Sequence, residues 1–209
     1  MTGGRGRSRP AVTGLLVALL LAGCGAGSAG SGSAAATAQR SGSPASARTP
    51  PDTAALPACP ALPRVAPRAD GLPALVLPCL GAGPPVRLSD LRGTPMVLNV
   101  WAAWCQPCAE ELPRFAAFHR RAAGKVRFFG VHYKAARDFG LAAARDFGLF
   151  YPSVQDAGGG RTVRALRATA PPQTFFVAAD GRVAGRHVGV IASEQQLAAL
   201  VKRYLGVAA

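Results

Sequence analysis

Apolar positions along the second half of the chain switch between two periods, and glycines and prolines mark the switches. Met96 to Val100 is a short apolar run with β-branched valines, preceded by Gly93 and Pro95. That pattern suits a strand buried on both faces. From Gln106 to about Ala122 the residues Cys108, Leu112, Phe115 and Phe118 recur at spacings of three and four, which predicts a helix with one stripe toward a core. Val126 to His132 is the next apolar strand; strand, helix and strand in this order imply a right-handed parallel crossover. Arg137 to about Phe147 reads as a helix stopped by Gly148, with Pro152 beyond, and Val163 to Arg167 as a short helix. Asp180-Gly181 between Thr174–Ala178 and Arg182–Val188 signals a hairpin turn. Ser193-Glu-Gln-Gln196 is a capping box, and Leu197, Leu200, Val201 and Tyr204 supply the stripe of a final helix. Upstream, Ala74–Leu77 and Val86–Leu88 frame Gly81-Ala-Gly-Pro-Pro85 as a hairpin, and Ser89–Gly93 reads as a helical turn. The expected class is α/β, a central mixed sheet with helices on both faces.

The first quarter of the chain follows other rules. Arg5, Arg7 and Arg9 precede an apolar run from Leu15 to Leu21 that is too short to span a bilayer, and Leu21-Ala-Gly-Cys24 closes it. This is the layout of an export signal, residues 1–23. Leu-Ala-Gly-Cys resembles the bacterial lipobox, which implies that Cys24 is lipidated and that acyl chains anchor the protein to the outer face of the membrane; ordinary signal cleavage leaving a free Cys24 is the alternative. Residues 24–57 are mostly Gly, Ser, Ala, Thr and Pro with almost no large apolar side chain, so a flexible tether is expected. As a random coil it would reach roughly 30 Å. Residues 58–209 are enough for one well-buried domain and too few for two.

Charge changes the picture little. The formal +14 falls to +11 once Arg5, Arg7 and Arg9 leave with the signal. The remaining arginines are scattered, without an aromatic-interleaved patch, so nucleic-acid binding is not supported. A basic domain on a lipid tether would be drawn toward anionic headgroups. Arg-Asp-Phe-Gly-Leu occurs at Arg137 and again at Arg145, within one helical stretch, so it defines no solenoid. Gly158-Gly-Gly160 lacks the Gly-Lys-Ser/Thr ending of a phosphate-binding loop.

Five cysteines carry the candidate chemistry. Cys105 stands at the start of the predicted helix, where unpaired N–H groups and the positive end of the helix dipole stabilise a thiolate. It is the candidate nucleophile, expected to be exposed at the strand-to-helix switch. Pro107 falls in the first turn, where its missing N–H costs nothing, and stiffens the Cys105-Gln-Pro-Cys108 loop. Cys108, one turn in, is the resolving thiol. Trp101 reads as core, and Trp104, beside the cysteines, as a substrate-binding residue. A zinc site would need a second pair of ligands at metal spacing, and Cys59, Cys79 and His119 do not supply it. Cys59 and Cys79 remain; in an exported protein they are expected to form a structural disulfide, contributing about 3 kcal/mol by loop-closure entropy. Free buried thiols or a second redox couple are the alternatives.

Trp104-Cys105-Gln106-Pro107-Cys108, with Pro113 five residues on, resembles the active site of the thioredoxin superfamily, and within it the membrane-tethered TlpA/ResA/CcmG-type thiol-disulfide oxidoreductases. The resemblance runs from about Leu72 to the C-terminus and implies a thioredoxin-like fold with an N-terminal hairpin and a helical insertion, Ser153–Gln155 being the extra strand. Asn99 stands where thioredoxins place a buried Asp, and Glu111 where this branch has an acidic residue near the thiols. Glu111 shares a helical face with Cys108 and would relay a proton from it or raise its pKa, whereas Glu110 only favours the first turn electrostatically. Ala170-Pro-Pro-Gln-Thr-Phe-Phe-Val177 resembles the family's Pro-x-Thr-Phe element, which makes Pro172 a cis proline lying against the cysteines. Pro171 would then dock an extended substrate; having no N–H, it offers only its carbonyl.

What the resemblance implies is disulfide exchange with protein substrates, without metal or organic cofactor, as a reductase recharged by a membrane electron donor and active in cytochrome c maturation. A disulfide-forming oxidase of the same fold is the competitor, and a monomer is the expected state. From another class comes a copper-handling lipoprotein using Cys105 and Cys108, with His119, His132 or His187 recruited. A catalytically silent binding module is the third option.

Overall fold

The computed structural model describes residues 56–208. The expected signal, the lipidation residue Cys24 and nearly all of the expected tether lie outside the described residues.

The Pro-rich N-terminal segment leads into two short antiparallel strands, β1 (Val76–Leu77) and β2 (Val86–Arg87), followed by a 3-10 turn at Leu88–Asp90. The central sheet follows with its helices: β3 (Met96–Trp101), α1 (Gln106–Ala122), β4 (Arg127–Tyr133), α2 (Arg137–Asp146), β5 (Ser153–Asp156), α3 (Gly160–Leu166), β6 (Gln173–Val177), β7 (Val183–Val188) and α4 (Glu194–Leu205). The strands lie in the order β5-β4-β3-β6-β7, parallel from β3 through β5 and antiparallel at β6 and β7. This is the thioredoxin-like arrangement, a mixed sheet flanked by helices.

Burial explains the sequence pattern. Every residue of β3 and β6 is buried, as central strands require, whereas the outer strand β7 alternates between partial and full exposure. The register puts Asn99 beside Gly130 on β4 and Thr174 on β6, and Trp101 beside His132. These side chains share one face of the sheet, because residues two apart on a strand point the same way. α1 covers that face through Glu111 on Asn99, α2 through Gly140 against His132, and α4 through Tyr204 against Phe176.

β5 would be an edge strand, but the N-terminal segment covers it. Leu80 N–H donates to Ser153 O, Gln155 N–H to Pro78 O, and Cys79 pairs with Val154. Such cover removes a free edge that could template aggregation. The helix ends follow local chemistry. Ser193 caps α4 by accepting from Gln196 N–H at 3.0 Å, while Gln196 Oε1 takes Ala192 N–H, one residue before the expected return bond of a capping box. No helix among the described residues is long and apolar enough to cross a membrane.

Candidate active site

The chain leaves β3 at Trp101 and enters α1 at Gln106, with Cys105 as the N-cap at φ −91° and ψ 94°. Its carbonyl accepts the N–H groups of Cys108 (3.0 Å) and Ala109 (3.3 Å), and its Sγ also accepts Cys108 N–H at 3.2 Å. Cys105 and Cys108 form a disulfide with Cα atoms 5.3 Å apart. The sulfur that would become a thiolate therefore faces a backbone donor at the positive end of a helix.

One expectation is corrected. Cys105 is not exposed at the switch: it is 4% accessible, and its neighbour Trp104, at 58%, forms the surface there. The cap geometry is the reason, since it folds the cysteine side chain back over the first turn and leaves the indole outside. Trp104 Nε1 donates to Lys134 O at 3.0 Å, and its ring lies 6.3 Å from that of Tyr133.

Glu111 follows Cys108 by one turn on the buried side of α1, and both residues have no exposure. Its two carboxyl oxygens accept from Asn99 Nδ2 at 2.8 Å and from Ile191 N–H, in the loop after β7, at 3.2 Å. Burial pushes the carboxyl up to about 7, against the two donors and the nearby Arg114 guanidinium, which favour the charged form. A carboxyl that titrates near neutrality and lies one turn from a thiol can take and return a proton.

The peptide bond between Pro171 and Pro172 is cis and immediately precedes β6. Val100 pairs with Gln173, so Pro172 sits one step on, level with the end of β3. Gly189 N–H binds Pro172 O at 3.0 Å, which brings the 60% exposed Val188 alongside.

Cys59 and Cys79, both on the N-terminal segment, form a second disulfide at the β5 edge. The three candidate histidines lie on three elements: His119 on α1, His132 on β4 and His187 on β7. His132 has no exposure, its ring lies 4.7 Å from that of Trp101, and burial pushes it down to about 4. His119 is stacked on Phe150, and burial lowers it as well. Among the described residues no group of three His, Cys, Asp or Glu side chains is placed to hold a metal.

Two contacts of Glu111 escaped the sequence reading. Ile191 contributes only a backbone N–H, which no side-chain pattern announces. Asn99 is visible in the sequence as a position, but its bond to Glu111 depends on how α1 crosses β3.

The model of the AhpC/TSA family matches residues 69–186. The chain is 32% identical over 120 residues to the thiol:disulfide interchange protein DsbE of Pseudomonas fluorescens biotype C, covering 57% of this chain and 65% of that protein. It is 33% identical over 103 residues to DsbE of Xylella fastidiosa strain 9a5c, covering 49% and 51%. The match thus spans between half and two thirds of these relatives' length. A solved structure of a candidate DsbE from Chlorobium tepidum superposes with a TM-score of 0.52 at 26% identity, over 62% of this chain and 96% of that one.

Proposed function

The chain belongs to the AhpC/TSA family, and from that premise we propose that it is a thiol-disulfide oxidoreductase working through Cys105 and Cys108. The observation that carries the reading is a disulfide across the first turn of α1, with a buried carboxyl that titrates near neutrality one turn below it. The names of the similar DsbE proteins support the same class of chemistry.

In the reductive direction, Cys105 thiolate attacks one sulfur of a substrate disulfide. The substrate's S–S bond breaks, one substrate thiolate leaves, and a mixed disulfide with Cys105 forms. Cys108 passes its proton to Glu111 and attacks Cys105 Sγ, expelling the second substrate thiolate. The pair of electrons has moved from the dithiol to the substrate, and a dithiol donor must restore Cys105 and Cys108. Trp104, adjacent to Cys105 in the chain, and Val188, paired with Gln173 next to the cis Pro171–Pro172 bond, expose apolar surface against which an extended segment would lie, with Pro171 offering it a carbonyl. By resemblance to the TlpA/ResA/CcmG-type proteins, an acidic residue at the Glu111 position goes with a reductase, and the haem-site cysteines of apocytochrome c are substrates of fitting chemistry. Export through residues 1–23, lipidation at Cys24 and recharging by a membrane electron donor complete the proposal.

Insulin-disulfide reduction by the parent chain and by Cys105→Ser tests the activity. The parent is expected to reduce insulin and the variant to fall to the uncatalysed rate; equal rates would overturn the reading.

A further inference from the structure

Gly130 lies in β4 between β3 and β5, on the face covered by α1 and α2, and has no side chain to fill its place. A Cβ there would meet Ser153 Oγ, and would lie 2.9 Å from Trp101 Nε1 and 3.0 Å from Tyr151 Cε2. Across this gap passes the ring of Tyr151, from the loop ahead of β5. The loop is pinned in register because Gly130 N–H donates to Pro152 O at 2.9 Å. Tyr151 is buried, with its ring 5.9 Å from that of Phe128, and its hydroxyl donates to Asn99 Oδ1 at 3.2 Å. The Asn99 amide is thereby gripped at both ends, by Tyr151 on one side and Glu111 on the other.

We propose that Tyr151, reaching over Gly130, is a positioning residue that orients the Asn99 amide and so sets the proton occupancy of Glu111. The inference rests on the reading of Glu111 as proton carrier and extends it to a residue that touches neither sulfur nor substrate.

The argument is one of donors and acceptors. With Glu111 ionised, the bonds from Tyr151 to Ile191 are all made: Tyr151 O–H donates to Asn99 Oδ1, Asn99 Nδ2 to one carboxyl oxygen, and Ile191 N–H to the other. With Glu111 protonated, its O–H must find an acceptor, so the amide turns over and presents Oδ1 to Glu111 and Nδ2 to the phenol oxygen. Tyr151 then accepts, and its own buried proton loses its partner. An unpaired buried donor costs more than a typical bond contributes, so the phenol favours the ionised carboxylate. The groups facing Glu111 from the packed elements are Asn99 on β3, Tyr151, the Ile191 N–H and, on its own helix, Arg114 and Cys108. Arg114 also donates to Ile191 O at 3.3 Å.

The test follows the glutamate carboxyl carbons by NMR in the 13C-labelled full chain. Glu110, Glu111 and Glu194 are its glutamates, and Glu111→Gln assigns the Glu111 signal by deleting it. Tyr151→Phe is expected to move the Glu111 midpoint toward higher pH by about half to one unit, the size of one neutral hydrogen bond. The pH profile of insulin reduction should move the same way. A midpoint that stays in place or falls would overturn the proposal. Should the Phe variant not fold, 3-fluorotyrosine at Tyr133, Tyr151 and Tyr204 keeps every ring and makes each phenol a stronger donor. The Glu111 midpoint must then fall, and its failure to do so would count against Tyr151 equally. Glu111→Gln separates this inference from the one beneath it. If that variant keeps the parent's pH profile while Tyr151→Phe still shifts the carboxyl, Tyr151 sets the occupancy and Glu111 is not the proton carrier.

Discussion

Cys105 Sγ meets a backbone N–H, whereas the sulfurs of Cys59 and Cys79 meet carbonyl oxygens. Cys105 Sγ accepts from Cys108 N–H at the head of α1. At the β5 edge, Cys79 Sγ lies 2.9 Å from Ala82 O, and Cys59 Sγ and Cys79 Sγ lie 3.5 and 3.6 Å from Ser153 O. Residue burial does not separate the two pairs, since all four cysteines are at most 8% accessible. Polarity does. A donor stabilises a departing thiolate, while nearby carbonyl acceptors favour a neutral S–H that donates to them. On the proposed function, the same covalent bond would be set up for exchange at one site and for permanence at the other.

The largest effect expected from this contrast concerns stability. Cys59→Ala with Cys79→Ala opens a loop with a sequence separation of 20, which costs about 3 kcal/mol by the loop-closure model. For a domain of this size that lowers the melting temperature by about 10 °C. Insulin reduction below the transition should stay at the parent level. Loss of activity in a folded double variant would show that the edge disulfide takes part in exchange, and would break the contrast.

A second test sets the two bonds against each other in the parent chain. Mild dithiothreitol followed by alkylation and peptide mapping should label Cys105 and Cys108 well before Cys59 and Cys79. The rates should differ on the order of a hundredfold, because a thiolate of lowered pKa is the better leaving group. Labelling of all four cysteines at one rate would mean that the surrounding dipoles do not govern reduction.

Much of the frame behind this comparison was legible in the chain. The apolar run from Met96 and the three-four spacing through Phe118 locate β3 and α1, and with them Cys105 at a helix start, because buried strands and amphipathic helices print their periods directly. Turn chemistry at Asp180-Gly181 and the Ser193 cap mark β7 and α4 for the same reason. What periodicity does not carry is which polar groups meet across layers. Tyr151 reaches Asn99 only because Gly130 leaves a gap on the strand between them, and the bond joins residues 52 apart in sequence. His132 reads as one more strand residue, yet it is sealed beneath α2, where Gly140 lies against its ring. The burial of Cys105 escaped for another reason: strand and helix periods say nothing of the side-chain angle at a cap.

The smallest effect expected is at Trp104, and it sharpens the contrast by isolating accessibility from electrostatics. Its indole is the exposed apolar surface beside Cys105, and its Nε1–H reaches Lys134 O. Trp104→Ala leaves the N-cap, Cys108 N–H and Glu111 untouched, so the intrinsic reactivity of the dithiol should stay as it was. A surface truncation of this kind should change stability by no more than about 1 kcal/mol. What disappears is a large apolar contact for a polypeptide lying across the sulfurs, expected to raise KM for protein disulfides a few-fold. A small disulfide such as oxidised glutathione makes little use of that surface and should react at the parent rate. If both substrates slow equally, Trp104 acts on Cys105 itself, and the electrostatic distinction between the two disulfides would have to include the indole.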